Sequence, residues 1–140
     1  WIHGQRRLQA FQEHALLQSR PVDPRLIALE PDGIADGSAA AERLLALDAR
    51  PTALYVSQRR QLPGVLAALE RRQFRIGHDI AVVVWGEPLP GAADGFDHIA
   101  WDRAEMGRVA VRALAGRVRE TAPQRLQILI PARLEKRGSV

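Results

Sequence analysis

The hydrophobic pattern is clearest between Pro51 and Glu87. Thr52-Ala-Leu-Tyr-Val-Ser57 is a short apolar run with β-branched and aromatic residues, which predicts a strand. Leu62, Val65, Leu66 and Leu69 then recur at three- and four-residue spacing, as one face of a helix does. Ile80-Ala-Val-Val-Val-Trp85 is unbroken and too short for a comfortable helix, so it predicts a second strand, buried on both faces as parallel strands usually are. Strand, helix and strand in that order make a βαβ crossover, right-handed by the general rule. Open α/β sheets take ligands beyond the carboxyl ends of their strands. Here those ends are Ser57-Gln58 and Trp85-Gly86-Glu87.

The flanking pattern extends this unit. Gln5 to Gln18 predicts a helix with Leu8, Phe11, Ala15 and Leu16 on one face, stopped by Pro21-Val-Asp-Pro24. Leu26–Leu29 reads as a short strand. Residues 31–38 read as a polar loop offering Asp32 or Asp36 as a helix cap, and Ala39–Leu47 as a helix. After Trp85, residues 86–95 hold two prolines and three glycines, an irregular loop at the cleft end of a strand. His98–Trp101 reads as another strand. Asp102-Arg-Ala-Glu105 has capping-box spacing ahead of a helix to about Glu120, with Met106, Val109, Ala110, Ala113 and Leu114 on its apolar face. Leu126–Ile130 reads as a strand, Pro131 interrupts it, and an extended tail closes the chain.

Composition narrows the function classes. The 140 residues suffice for one domain with a real core, and 46% hydrophobic with 26% charged residues is an ordinary globular balance. No apolar run approaches the length of a membrane span. The start of the chain has no signal-peptide core, and cysteine is absent, which excludes disulfides and thiolate metal sites and fits a reducing cytoplasm. The chain begins at what reads as the end of a strand entering a helix, as a piece of a longer polypeptide would. The net charge of +4 comes from scattered arginine pairs, Arg6-Arg7, Arg59-Arg60 and Arg71-Arg72 among them. Solvated helix faces explain such pairs better than a phosphate-tracking stripe. No cofactor is expected, and catalysis has little support. Phosphate-loop, zinc-protease and nucleophile-elbow motifs are all missing. His3, His14, His78 and His98 lack metal-ligand spacing. Asp94, Asp97 and His98 could imitate an acid–base cluster, although a structural role is the commoner one for such a group.

Five stretches together resemble the LacI/GalR-type bacterial transcription regulators. Residues 51–58 resemble that family's P-T-A-[IL]-x-[AV]-x-N strand, and residues 65–84 its helix and following G-[LI]-x-[VI]-P-x-D-[IV]-[SA]-V-V segment. Residues 105–110 resemble its E-[ML]-G-x-x-A helix and residues 131–139 its terminal P-x-x-L-V-x-R-x-S tail. Residues 7–11 resemble R-x-x-G-F, with Ala10 in place of the glycine. The resemblance implies an α/β fold: a Rossmann-like three-layer parallel sheet forming the C-terminal lobe of a two-lobed periplasmic-binding-protein-like domain. Residues 1–100 would be most of that lobe, 101–130 a segment of the N-terminal lobe, and 131–140 a tail crossing back. The family's DNA-binding helix-turn-helix has no counterpart in this chain.

The resemblance also implies sites. Arg7 falls on the family's effector-binding arginine, where a guanidinium can fork onto hydroxyls or a carboxylate. An ordinary surface arginine is the competing reading. Gln58 stands where the family has Asn, Arg59 where it has Asp, and Gly86, beside Glu87, where a hydrogen-bonding Asp is usual. Losing an acceptor and gaining a cation disfavours a sugar and suits an anionic ligand, unless Arg59 points to solvent. Trp85 and Trp101 could offer stacking faces or could simply pack in the core. A homodimer is expected through Leu62, Val65, Leu66 and Leu69 with the Pro88-Leu89 loop. Three functions compete: the effector-sensing module of a repressor, a transport-type solute-binding protein, and an enzyme on the same scaffold.

Overall fold

The computed structural model describes residues 2–30, 33–87, 95–118 and 126–139. Among the described residues, four helices occupy Ile2–Leu17 (α1), Ile34–Leu45 (α2), Leu62–Arg71 (α3) and Arg103–Arg117 (α4), and four strands occupy Ala53–Val56 (β1), Ala81–Trp85 (β2), Asp97–Ala100 (β3) and Arg133–Glu135 (β4). The sheet runs β1-β2-β3-β4. The first three strands are parallel, with Tyr55 opposite Val83 and Trp85 opposite Ile99, and β4 closes the far edge antiparallel to β3. The β1-α3-β2 unit is therefore the expected crossover.

The core lies between the sheet and the α2/α3 pair. Leu54 and Val56 of β1 and Val82 and Val84 of β2 point into it, joined by Ala41, Leu45, Leu62, Val65, Ala68 and Leu69 from the helices and by Ile80 and Phe96. Period-two alternation sends Tyr55, Val83 and Trp85 to the other face. That face is covered more thinly than the unbroken apolar run of β2 implies: Ala81, Val83 and Trp85 stay half-exposed while Val82 and Val84 are fully buried. The cover there comes from α1, whose Phe11 ring stacks on Tyr55 at 6.1 Å.

Helices α2 and α3 approach so closely that side chains are excluded at two points. A Cβ on Gly64 would strike the Ile34 carbonyl oxygen, and one on Gly37 the Gln61 carbonyl oxygen. Glu42 on α2 then pairs with Arg71 at 3.1 Å and Arg72 at 2.6 Å, and Arg71 also reaches Ser38 Oγ at 2.7 Å. The Arg71-Arg72 pair is thus tied to α2 and not simply solvated.

Several sequence expectations change here. Helix α2 starts at Ile34, five residues before the expected Ala39, with Gly33 as N-cap and Asp36 inside the first turn. Asp32 lies outside the described residues. Leu26–Leu29 is no strand: Pro24–Leu26 forms a 3-10 turn and the residues after it pair with no strand among the described ones. Leu126–Ile130 is likewise unpaired. Half of the expected capping box forms, with Glu105 N donating to Asp102 Oδ1 at 2.8 Å. The Glu105 carboxylate turns to Arg108 and Arg112, each at 2.7 Å, and not back to the N-cap. Replacing Asp102 with Ala should therefore cost about 1 kcal/mol, measurable as a lowered urea midpoint.

The tail is held by the Asp97 carboxylate and the Ser139 hydroxyl. Asp97 Oδ1 accepts the backbone N–H groups of Arg137 at 2.6 Å, Gly138 at 3.2 Å and Ser139 at 3.4 Å. Ser139 Oγ donates to Val82 O at 2.7 Å and accepts from Asp97 N at 2.9 Å. Helix α4, by contrast, buries no residue, and its Val111 and Leu114 are 68% and 66% exposed.

Candidate functional site

The parallel strands β1, β2 and β3 end side by side, so the residues just after them share one rim. Gln58 and Arg59 follow β1, Gly86 and Glu87 follow β2, and Trp101 follows β3. The pairing of Trp85 with Ile99 puts Trp101 on the same sheet face as Trp85, two residues on. The two indoles meet at 5.3 Å between centroids, tilted by 39°. The second turn of α1 brings Arg7 above them, its Cζ 4.9 Å from the Trp85 ring, within cation–π range. Arg7 Nε is buried and has no hydrogen-bond partner among the described residues. A buried guanidinium donor without an acceptor is costly, and an anionic or hydroxylic ligand atom would relieve it.

Gly86 shapes the rim through its backbone. Its φ of +123° lies where L side chains are strained, so an acceptor side chain at this position would have to distort the strand end. Gly86 N donates to Ile99 O at 3.0 Å, and its carbonyl accepts from His98 Nδ1 at 2.9 Å. A carbonyl only accepts, so Nδ1 carries a proton. The space a side chain would take borders Arg59, whose Cδ is 3.8 Å from the ideal Cβ position. Arg59 thus lies along the rim and does not simply extend away from it. Gln58 sits against α1, with Nε2 4.0 Å from the ideal Cβ position of Gly4.

Glu87 is already engaged. Its carboxylate forms an ion pair with Arg103, 3.1 Å from Nε, and accepts from Arg103 N at 3.3 Å. Arg103 also hangs over Trp101, with Cζ 5.8 Å from the ring. Sequence reasoning treated Arg103 only as part of the cap at Asp102, although its place two residues after Trp101 was the available signal. The rim therefore carries Arg7, Arg59 and Arg103 around two indoles, with Glu87 as the counter-charge, bound to Arg103. Its chemistry favours a ligand with a flat or apolar body and a negative group.

Every residue named from the sequence for the cleft, Arg7, Gln58, Arg59, Trp85, Gly86, Glu87 and Trp101, lies on this rim or borders it. The interface residues behave differently. Leu62, Val65 and Leu69 are 7%, 6% and 1% exposed and pack in the chain's own core, with Leu66 half-buried beside them. The stripe they form is consumed against the sheet and α2, so those three side chains are not available to a second copy. Pro88 and Leu89 lie outside the described residues, as does Asp94. Asp97 and His98 are both fully buried and hold backbone groups. Backbone N–H donors, that of Arg137 foremost, hold the Asp97 carboxyl below its ordinary range against the opposing effect of burial. Among the described residues no three His, Cys, Asp or Glu side chains converge as metal ligands.

The profile of the periplasmic-binding-protein-like domain family matches residues 2–140. No curated protein matches at a significant level. Among solved structures, a putative transcriptional regulator LacI from Bacillus cereus subsp. cytotoxis NVH 391-98 is 24% identical with a TM-score of 0.83, covering 98% of this chain and 49% of that one. A PurR family transcriptional regulator from Vibrio parahaemolyticus RIMD 2210633 is 24% identical with a TM-score of 0.78, covering 96% of this chain and 50% of that one. A LacI family transcriptional regulator from Lactobacillus casei with bound sucrose is 23% identical with a TM-score of 0.75, covering 98% and 51%. These likenesses establish the fold. The chain spans about half the length of the solved structures it matches.

Proposed function

The chain belongs to the periplasmic-binding-protein-like domain family, and from that premise we propose that it is the effector-sensing part of a LacI/GalR-type DNA-binding transcriptional regulator. The observation that carries this reading is the rim of Arg7, Trp85 and Trp101, with a buried guanidinium N–H that lacks an acceptor. Its neighbours of like fold are transcriptional regulators, and one is solved with bound sucrose. Here the effector is a small anionic molecule and not a neutral sugar, because Arg7 and Arg59 lie on the rim while the Glu87 carboxylate is already paired with Arg103.

In this reading residues 1–100 and the tail at 131–140 form one lobe, and residues 101–130 enter the other. The undocked α4, with no buried residue, supports that division. The regulator works as a homodimer in the cytoplasm, reaches operator DNA through a helix-turn-helix elsewhere in the longer protein, and does not turn its ligand over. No described helix is long and apolar enough to cross a membrane.

A test pairs a thermal-shift screen of small anions and sugars with operator footprinting of the longer protein that contains this chain. An anion that stabilises the protein, is recovered unchanged and alters the footprint is the expected result. Binding with no DNA protection at all would favour the solute-binding protein of a transport system, and conversion of the ligand would favour an enzyme. Arg7→Ala should weaken binding of the stabilising anion by about 2 kcal/mol, roughly thirtyfold in Kd. An unchanged Kd in calorimetry would remove Arg7 from the site.

A further inference from the structure

The Glu87 carboxylate shows what the far end of the rim can hold. It forms an ion pair with Arg103, 3.1 Å from Nε, and accepts from the backbone N–H of the same residue at 3.3 Å. One residue thus offers a carboxylate a guanidinium edge and a main-chain donor together. Glu87 follows β2 and Arg103 opens α4, so the two meet at the carboxyl ends of the strands. The pair is open to solvent, with the Arg103 side chain 63% and the Glu87 side chain 29% exposed. Ion pairs so exposed are held weakly, and another carboxylate can take the place of Glu87.

The two indoles connect this end to Arg7. The Arg7 guanidinium lies 4.9 Å from the Trp85 ring, the Trp85 and Trp101 rings meet at 5.3 Å, and the Arg103 guanidinium lies 5.8 Å from the Trp101 ring. A flat ligand spanning both indoles would bring one end to each arginine. At the first end, Arg7 Nε is buried and has no hydrogen-bond partner among the described residues. At the second, Glu87 presents to Arg103 the same chemical group that the ligand would present to Arg7. A neutral second end would gain nothing from Arg103, and a cationic one would have to sit beside its guanidinium. A second acid on a ligand already anchored at Arg7 arrives at high effective concentration, against which an exposed side-chain pair competes poorly. Resting on the anionic-effector reading above, we propose that the effector carries two acidic groups on a flat body, and that Arg103 selects the second by exchanging Glu87 for it.

Calorimetry on the longer protein that contains this chain tests the exchange. It compares benzoate with terephthalate, and phenylacetate with para-phenylenediacetate, so that the second acid is offered at two separations. Para-aminomethylbenzoate offers a cation in its place. In at least one pair the diacid is expected to bind roughly fivefold tighter than its monoacid. That ratio should rise by about threefold in Glu87→Gln, where the competing carboxylate is gone, and fall below about twofold in Arg103→Gln. Equal affinities within both pairs, in wild type and in Glu87→Gln alike, would overturn the proposal. So would a diacid preference that survives Arg103→Gln and is lost in Arg59→Gln, or tighter binding of para-aminomethylbenzoate than of either diacid. In each of these cases saturable binding of the monoacids would leave the anionic effector standing. Binding of no acid at all would remove that reading and this one together.

Discussion

Replacing Asp97 with Ala is expected to destabilise the domain by roughly 3 kcal/mol, because it removes the acceptor for three backbone N–H groups beside a fully buried strand residue. The carboxylate receives Arg137, Gly138 and Ser139 through one oxygen. Among the described residues strand β4 pairs with β3 alone, so the tail beyond it, left with the Ser139 hydroxyl contacts, should loosen. Urea unfolding should show a lowered midpoint, and limited proteolysis should clip the chain after Glu135 first. The same contact sets an acid limit. Because the folded-state pKa of Asp97 lies below its ordinary value, its contribution is complete above the ordinary carboxylate range and falls away as pH drops through the folded value. Wild-type protein should therefore lose tail protection on acidification, while Asp97→Asn should show a weaker tail whose stability no longer changes over that interval. A tail equally protected in wild type and Asp97→Ala would show that the clasp contributes nothing.

Gly64→Ala is expected to cost a similar amount, about 3 kcal/mol, by overpacking. The added methyl meets the Ile34 carbonyl oxygen and the Ser38 amide nitrogen, which are backbone atoms of α2 and cannot rotate away. Helix α2 would have to move off α3, loosening Ala41 and Leu45 in the core and straining the Glu42 pairs with Arg71 and Arg72. Gly107→Ala is the matched control, since a Cβ there meets nothing within 4 Å. In a helix interior that change should be neutral or stabilise slightly. Equal melting temperatures for the two variants would mean that α2 and α3 are not held as closely as described.

The central crossover was legible because its signals are local. The alternation in residues 53–56, the three-four spacing from Leu62 to Leu69 and the run from Ile80 to Trp85 each specify one element without reference to the rest. Where the reading failed, a distant partner decided the outcome. Leu26–Leu29 and Leu126–Ile130 have strand-like composition, but a strand exists only when another pairs with it, and none of the described residues does. Ile34–Ser38 looked like a loop because Asp36-Gly37 is a turn signal in isolation, yet Gly37 serves the close passage of α3 inside a helix. The apolar stripe of α3 was assigned to a partner copy, although a helix between two parallel strands first has its own sheet to cover. In the cleft, Trp85 was named from the carboxyl end of its strand, but Arg7 came through family resemblance, since residues so far apart in sequence have no local pattern in common. Arg103 escaped notice because its ion-pair partner Glu87 meets it only once β2 and β3 lie side by side.

The most direct test of the account is a tryptophan-fluorescence titration of the chain with a flat carboxylate such as benzoate, against sucrose as the neutral comparison. Trp85 and Trp101 sit in contact beneath Arg7, so a bound anion should perturb their emission. The account predicts a saturable change with the carboxylate that weakens sharply in Arg7→Ala and loses most of its amplitude in Trp85→Phe, with no saturable response to sucrose. A saturable response to sucrose and none to the carboxylate, or an identical carboxylate response in Arg7→Ala, would contradict it.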